Sequence, residues 1–177
     1  MPCRTLTPGL LLLLLLASTT GHAFERGPYP ERGYAGIGVV NDMLGAQLEL
    51  ANPVGSIWVM VGYHLDVPGS ASFERGRQTG FVGGFRFFSA SAGLKSSWYA
   101  GGMIGTLEVD TRREDGKRNA YQRLGFGGTL GYQFITGRLR TNIGLGAAYL
   151  EPYTADDDTR VSRDYIPLFE TGLSLSF

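Results

Sequence analysis

The residues best able to do chemistry in this chain surround a histidine in the string HLDVPGSAS. His64 stands at its start, and Asp66, Ser70 and Ser72 follow within the string. A histidine that takes a proton from a serine hydroxyl while a carboxylate orients its ring is the arrangement of nucleophilic hydrolases. The alternative is a structural histidine that is hydrogen-bonded to neighbouring groups. We take His64 as the catalytic candidate and favour the structural interpretation.

A second set of candidates consists of isolated charged residues inside segments of alternating polarity. Its members are Glu49, Arg86, Glu108, Arg123, Arg138, Arg140 and Glu170. Their neighbours on the same parity are mostly Gly, Ser, Gln and Asn. A charge buried alone is very unfavourable, so these acids and bases are expected to pair with one another. The prediction is a Glu/Arg network, and a narrow ion path through that network is the alternative.

The composition argues against several other classes of site. Lys plus Arg number 16 and Asp plus Glu number 16, with no basic stripe, which argues against a nucleic-acid partner. Cys3 is the only cysteine, so no disulfide or thiolate metal site is expected. The runs GLGAA and GFGGTLG lack the Gly-Lys-Ser/Thr of a phosphate-binding loop. We expect no cofactor and no resident metal.

The N-terminal stretch predicts export. Arg4 precedes seven consecutive leucines, and Gly21 and Ala23 stand like the small residues of a signal-peptidase site. The apolar run is too short for a bilayer span, which needs about 20 residues. We therefore expect residues 1–23 to be a cleaved secretory signal peptide and residues 24–177 to be one folded domain.

Eight strand-like segments must position the charged side chains. They are residues 33–41, 43–51, 56–64, 79–88, 97–109, 121–135, 138–150 and 168–177. Several alternate cleanly, as in RLRTNIGLGAAYL, where Leu139, Ile143 and Leu145 oppose Arg140 and Asn142. Such period-2 alternation indicates strands with two unlike faces.

The polar parity is unusual for a water-soluble sheet. It carries small residues and single charges instead of the dense Lys, Glu and Thr of a solvated face. This pattern is typical of an inside-out barrel, with apolar side chains outward in lipid and polar side chains inward. Seven amphipathic rings lie mostly toward strand ends, and several of them are expected to form girdles at the membrane interfaces. These are Trp58, Trp98, Tyr99, Tyr121, Tyr132, Tyr149 and Tyr153.

The connections alternate between short and long. The short ones are NPVG, SASAGLKS and TG, whereas the long ones cover residues 65–78, 110–120 and 151–167. Short turns at one end and long loops at the other are typical of membrane barrels. With an even strand number, the last strand can pair with the first, and closure removes the exposed edges.

With these features, the sequence resembles the small eight-stranded outer-membrane β-barrel proteins of Gram-negative bacteria, over the whole of residues 24–177. The resemblance implies an all-β, antiparallel up-and-down transmembrane barrel in the bacterial outer membrane. It also implies that the barrel-assembly machinery reads the last strand as a C-terminal signal. The signal residues would be Phe169, Leu173, Leu175 and Phe177. Some barrels of this kind modify lipid A, but the His-x-Ser motif of the deacylases is absent, because His64-Leu65-Asp66 stands here.

The resemblance favours a non-enzymatic function in membrane integrity or surface interaction, through the barrel and its outer loops. The expected partners are outer-membrane lipids and lipopolysaccharide, and a closed barrel is expected to be a monomer. Carboxylates in TADDDTRVSRDY could bridge cations to lipopolysaccharide phosphates, although a solvated loop tip is the favoured interpretation. The alternatives are a lipid A-modifying enzyme that uses His64, a narrow channel, and a soluble periplasmic barrel with a ligand cavity.

Overall fold

The computed structural model describes residues 31–65, 79–89, 94–114, 117–154, 160–161 and 164–177. The expected signal peptide lies outside the described residues. Within the described ranges, no helix has the length and apolar character needed to cross a bilayer. The strands are β1 (Arg32–Val40), β2 (Met43–Ala51), β3 (Gly55–His64), β4 (Thr79–Phe88), β5 (Ser97–Glu114), β6 (Lys117–Thr136), β7 (Leu139–Leu150), β8 (Tyr153–Thr154), β9 (Arg160–Val161) and β10 (Asp164–Ser176).

Eight of these strands close into an antiparallel up-and-down barrel. Each of β1 to β6 pairs with the next strand in the chain, and β7 pairs with β10. The barrel closes where β10 pairs with β1, from Tyr34 opposite Ser176 to Val40 opposite Glu170. Strands β8 and β9 form a separate two-stranded sheet. The predicted fold class is confirmed, because the apolar last strand has a partner along its edge.

Side-chain alternation sets the register of the barrel. In β2, every residue from Met43 to Ala51 on the odd parity is buried, and every residue between them is exposed. Strand β3 alternates in the same way from Ser56 to His64. A slip of one residue would move a complete row of Leu and Val side chains into the lumen, so the pattern specifies the pairing.

Two short turns show how the chain reverses. Asn41 adopts a positive φ of 51° between β1 and β2. Its backbone N–H donates to the Phe169 carbonyl oxygen and its Oδ1 accepts from the Phe169 N–H, both at 2.9 Å. Gly137 has a φ of 60° between β6 and β7, where a residue without Cβ adopts the left-handed conformation at little cost. We call the end with Asn41 the long-link end and the end with Gly137 the short-turn end.

Strand lengths differ from the sequence-based prediction at the long-link end. A long loop was expected over residues 110–120, but β5 and β6 continue to the pair Glu114 and Lys117. Strand β10 starts at Asp164, four residues before the predicted start of its segment. The charges of DTRREDGKR hid the extensions of β5 and β6, because backbone pairing does not need an apolar face.

A β-bulge changes the parity of β5 near its middle. Thr106 pairs with Leu124, but Glu108 pairs with Arg123, so Leu107 is an extra residue. Before the bulge, Tyr99 and Met103 on the odd parity point inward. The extra residue brings Glu108, which has even parity, opposite the inward-facing Arg123. Such bulges re-aim side chains in this way.

The lumen is filled by two layers of side chains. The ion layer, near the short-turn end, consists of Glu49, Arg86, Arg140 and Glu170. The apolar layer, towards the long-link end, consists of Val40, Met43, Trp58, Met60, Val82, Met103, Leu107, Ala148, Leu150 and Leu168. The sequence predicted polar side chains on the inward face, and the structure adds a set of buried apolar side chains in the long-link half. Eight strands leave an interior that side chains can fill.

Candidate functional site

Arg86 is the centre of the ion layer. Strand β4 places it inward with only 1% of its surface exposed. Its Nη1 donates to Glu49 Oε2 and its Nη2 donates to Glu170 Oε2, each at 2.8 Å. One guanidinium therefore bridges carboxylates from β2 and β10. The planar fork of arginine suits this geometry, in which separate nitrogens address separate acceptors.

Aromatic and hydroxyl groups surround this bridge. The guanidinium carbon of Arg86 lies 4.8 Å from the Trp58 ring centroid and 5.3 Å from that of Tyr99. The hydroxyls of Tyr99 and Thr129 each donate to Glu170 Oε1 at 2.8 Å. Each oxygen of Glu170 therefore has a donor. Hydrogen bonds to both oxygens offset part of the cost of burying this carboxylate.

Arg140 supplies the second positive charge of the layer. Its Nη1 lies 2.7 Å from Glu49 Oε1, an ion pair whose geometry is not that of a hydrogen bond. Its guanidinium carbon lies 4.8 Å from the Tyr34 ring centroid and 5.5 Å from that of Phe88. Two arginines thus balance two glutamates, and all four side chains are almost completely buried.

Of the seven charged residues predicted for the lumen, the structure brings four into this layer. Glu108 and Arg123 form a separate pair towards the long-link end, with Arg123 Nη1 donating to Glu108 Oε2 at 3.0 Å. Arg138 requires a correction, because it is exposed in the turn after Gly137. Its Nε and Nη2 donate to the Ser176 carbonyl oxygen at 3.2 and 3.0 Å. Strand β7 begins one residue later, so Arg138 lies outside the alternation that turns every second side chain inward.

His64 occupies the long-link rim of the lumen. It is 5% exposed, and its Nδ1 lies 3.0 Å from Asp42 Oδ1. The acid that orients its ring thus comes from the β1–β2 turn, which sequence reasoning missed. The candidate partners Asp66, Ser70 and Ser72 lie outside the described residues. The burial of His64 inside the barrel directs its imidazole away from the outer surface.

Three methionine side chains of the lumen were also not recognised from the sequence. Met43, Met60 and Met103 all point into the apolar layer. Trp58 and Tyr99 were expected at membrane interfaces, but both are buried against Arg86. The side chains of Tyr121 and Tyr153 lie outside the described residues. The alternation could have identified the methionines and Trp58 as inward-facing. Each of them, or the residue paired with it on the neighbouring strand, lies an even number of residues from a charged lumen residue.

Among the described side chains, the outward surface of every barrel strand is mainly apolar. Exposure reaches 70% for Leu130 and 65% for Leu145. Trp98 packs edge-on against Tyr132, with ring centroids 5.2 Å apart, on this face. Among the barrel residues whose side chains are described, the exposed Lys, Arg, Asp and Glu stand only in turns and at strand ends. Along the described strands, charged side chains therefore face the lumen, and the outward face carries mainly apolar side chains.

The final segment runs along this outer face. Phe169, Leu173, Leu175 and Phe177 are all exposed. The Phe177 N–H donates to the Gly33 carbonyl oxygen at 3.0 Å, which ties the last residue to the first strand. The predicted alternation of this segment is thus present as an outward apolar row.

Metal-binding capacity follows from the side chains that lie together. Within the described parts of the chain, no three or more His, Cys, Asp and Glu side chains are grouped closely enough to hold an ion. The acidic string at residues 154–165 contributes no described side-chain cluster.

Comparison with known proteins supports the fold. No protein-family model matches the chain, and no curated protein matches it. One solved structure to which it is similar is the N-terminal β-barrel domain of OprF from Pseudomonas aeruginosa. The TM-score is 0.50 at 11% sequence identity, and the match covers 82% of this chain and 96% of the OprF chain. At this identity the likeness concerns the barrel fold.

Proposed function

We propose that this chain is a non-enzymatic outer-membrane β-barrel protein that contributes to envelope integrity or surface interaction. The observation that carries the proposal is the reversed polarity of the barrel wall. Leu, Ile, Val and Phe side chains are exposed around the barrel, while Glu49, Arg86, Arg140 and Glu170 are sealed inside it. In water, so large an apolar surface would drive association. In hydrocarbon, it is the surface that a closed barrel requires.

The filled lumen supports a structural role for the barrel over a transport role. The ion layer and the apolar layer lie one above the other along the barrel, and their members are buried. An ion would have to displace paired charges and then cross a layer of Met, Leu and Val. The lumen is accordingly proposed to be a plug, and recognition is proposed to reside in the links at the long-link end.

The proposal places the long-link end outside the cell and both chain ends on the periplasmic side. Outer-membrane lipids and lipopolysaccharide would contact the apolar belt, and the barrel-assembly machinery would read the segment ending at Phe177. OprF, whose N-terminal domain has a similar fold, is an outer-membrane protein, which is consistent with this location.

Membrane residence can be tested with single spin labels. Cys3 is the only cysteine of the sequence and lies in the expected signal peptide, so Leu145→Cys and Arg138→Cys each supply one labelling site. Both residues are exposed, but Leu145 lies on the apolar belt and Arg138 lies in a turn. In reconstituted vesicles, we expect the label at 145 to collide mainly with oxygen and the label at 138 mainly with a water-soluble nickel complex. Equal access of the nickel complex to both labels would refute the membrane proposal.

Fractionation provides an independent measurement. The native chain is expected in the outer-membrane fraction, with a gel mobility that changes on boiling because the closed barrel unfolds. Recovery in the soluble periplasmic fraction would favour the soluble ligand-binding barrel instead.

A further inference from the structure

One imidazole nitrogen at the long-link rim of the lumen has no hydrogen-bond partner among the described residues. His64 Nδ1 lies 3.0 Å from Asp42 Oδ1, and a carboxylate acceptor there favours the tautomer with its proton on Nδ1. In that tautomer, His64 Nε2 carries a lone pair and acts as an acceptor. It is buried, and it has no hydrogen-bond partner among the described residues. Buried acceptors of this kind are normally satisfied.

The group that faces this nitrogen is a thioether. Met43 is the cross-strand partner of His64 in the β2–β3 register, and its side chain is completely buried. A Cβ added to Gly80 would lie 2.6 Å from Met43 Sδ and 2.7 Å from His64 Nε2. The sulfur and the nitrogen therefore both approach one point beside Gly80, where a side chain with a Cβ would not fit. Metal ions keep about 2.0–2.3 Å from nitrogen and sulfur ligands, so a single ion between Sδ and Nε2 is the ligand that this pair would take.

The neighbouring hydroxyl is already engaged. Thr106 Oγ1 lies 2.5 Å from the same Cβ position. However, it accepts from the Phe81 N–H at 2.9 Å and donates to the Phe81 carbonyl oxygen at 3.2 Å. The atoms of this group that remain available to bind a metal ion are the imidazole nitrogen and the thioether sulfur, and both face the apolar layer.

We propose that His64 Nε2 and Met43 Sδ bind a soft monovalent metal ion of the Cu(I) class. Thioether ligands select such ions, whereas Mg²⁺ and Ca²⁺ need several oxygen ligands. The Asp42 carboxylate on the other ring nitrogen is the partner that metal-binding histidines usually have, since it holds the ring and its tautomer in place. This proposal goes beyond the proposed function, because it assigns a ligand to the lumen, whose side chains otherwise only fill the barrel.

The binding test uses Ag(I), which shares the closed d shell of Cu(I) and resists oxidation. The protein is purified in detergent with ¹³C-labelled methionine methyl groups and titrated in a chloride-free buffer. We expect saturation at one equivalent of Ag(I), with a shift of the Met43 methyl resonance and little change at Met60 and Met103. No saturable shift, or parallel shifts of all methionine resonances, would overturn the proposal.

Matched variants identify the ligands. Met43→Leu and His64→Phe are expected to weaken Ag(I) binding at least tenfold, and Asp42→Asn is expected to weaken it by about 10–100-fold. Met103→Leu makes the same substitution within the apolar layer and should leave the affinity unchanged. Heat-modifiable gel mobility checks that each barrel is folded. Should His64→Phe fail to fold, the pair Met43→Leu and Met103→Leu decides, and equal affinities in that pair would contradict the assignment.

A substitution that leaves both ligands in place provides a further readout. Gly80→Ala puts a methyl group where the two donors converge. We expect it to abolish Ag(I) binding in the folded barrel. Undiminished binding by that variant would show that the ion, if bound, lies elsewhere.

Discussion

Removal of the Arg86 charge should destabilise the barrel more than any exposed arginine substitution. In Arg86→Met, Glu49 and Glu170 each lose a charge-assisted hydrogen bond of 2.8 Å. Only Arg140 then remains to balance two buried carboxylates. Removing one partner of a buried ion pair costs about 3–5 kcal/mol, and we expect a loss of unfolding free energy in that range. Methionine retains most of the apolar volume, so the loss reports mainly on charge.

A double variant separates unbalanced charge from lost packing. Arg86→Met/Glu170→Gln removes one charge of each sign and leaves the ion pair of Glu49 with Arg140, whose Nη1 and Oε1 lie 2.7 Å apart. Fully replaced buried pairs are often close to neutral in stability. We therefore expect the double variant to be more stable than Arg86→Met, with a coupling energy of about 1–3 kcal/mol.

The assay is urea unfolding and refolding in lipid vesicles, followed by tryptophan fluorescence and by heat-modifiable mobility. Arg138→Met is the matched control, because Arg138 is exposed and should change stability by only about 0.5 kcal/mol. The reasoning is refuted if Arg86→Met costs no more than Arg138→Met. It is also refuted if the double variant loses as much stability as the two single variants combined.

Three further predictions concern transport, catalysis and assembly. The wild type and Arg86→Met/Glu170→Gln should both show planar-bilayer conductance at the lipid-only baseline, because the apolar layer stays closed. Discrete conductance steps in the wild type would contradict a plugged lumen. His64→Ala should leave the mass spectrum of lipid A identical to that of the wild-type strain, since the imidazole is buried, and a lost or added acyl chain that depends on His64 would establish the enzyme instead. Phe177→Ala should lower the amount of folded barrel in cells more than Phe134→Ala, which removes another outward aromatic side chain. Both variants should refold equally in vitro. Equal yields in cells would argue against an assembly signal at the terminal residue.

The barrel itself could be predicted from the sequence because its signal is local and repeated. Each strand has a period of two, and Gly, Ser and Asn on one parity contrast with Leu, Phe and Val on the other. That contrast predicted the inward positions of Glu49, Arg86, Arg140 and Glu170. It did so because a charge cannot face hydrocarbon, so its direction follows from chemistry alone.

The limits of this reasoning appear where local parity is interrupted. Glu108 faces Arg123 only because Leu107 is an extra residue in β5, and the sequence carries no separate mark of that bulge. Arg138 left the lumen because a turn residue is not bound by strand parity. The methionines of the apolar layer were not recognised, because an apolar side chain is compatible with either face of the wall.

Alternation along the chain was thus sufficient to establish the strands and the direction of most charges, since both depend on neighbours two residues apart. Closure was inferred separately, from the even strand number and the edge that the last strand would otherwise expose. The contacts inside the lumen depend on which strands meet across it. Asp42 and His64, separated by 22 residues, are brought together by the pairing of β2 with β3. Arg86 and Glu170, separated by 84 residues, meet across the lumen of the closed barrel. The division of the lumen into an ion layer and an apolar layer likewise depends on how far neighbouring strands are shifted along one another. No single segment of the sequence specifies that shift.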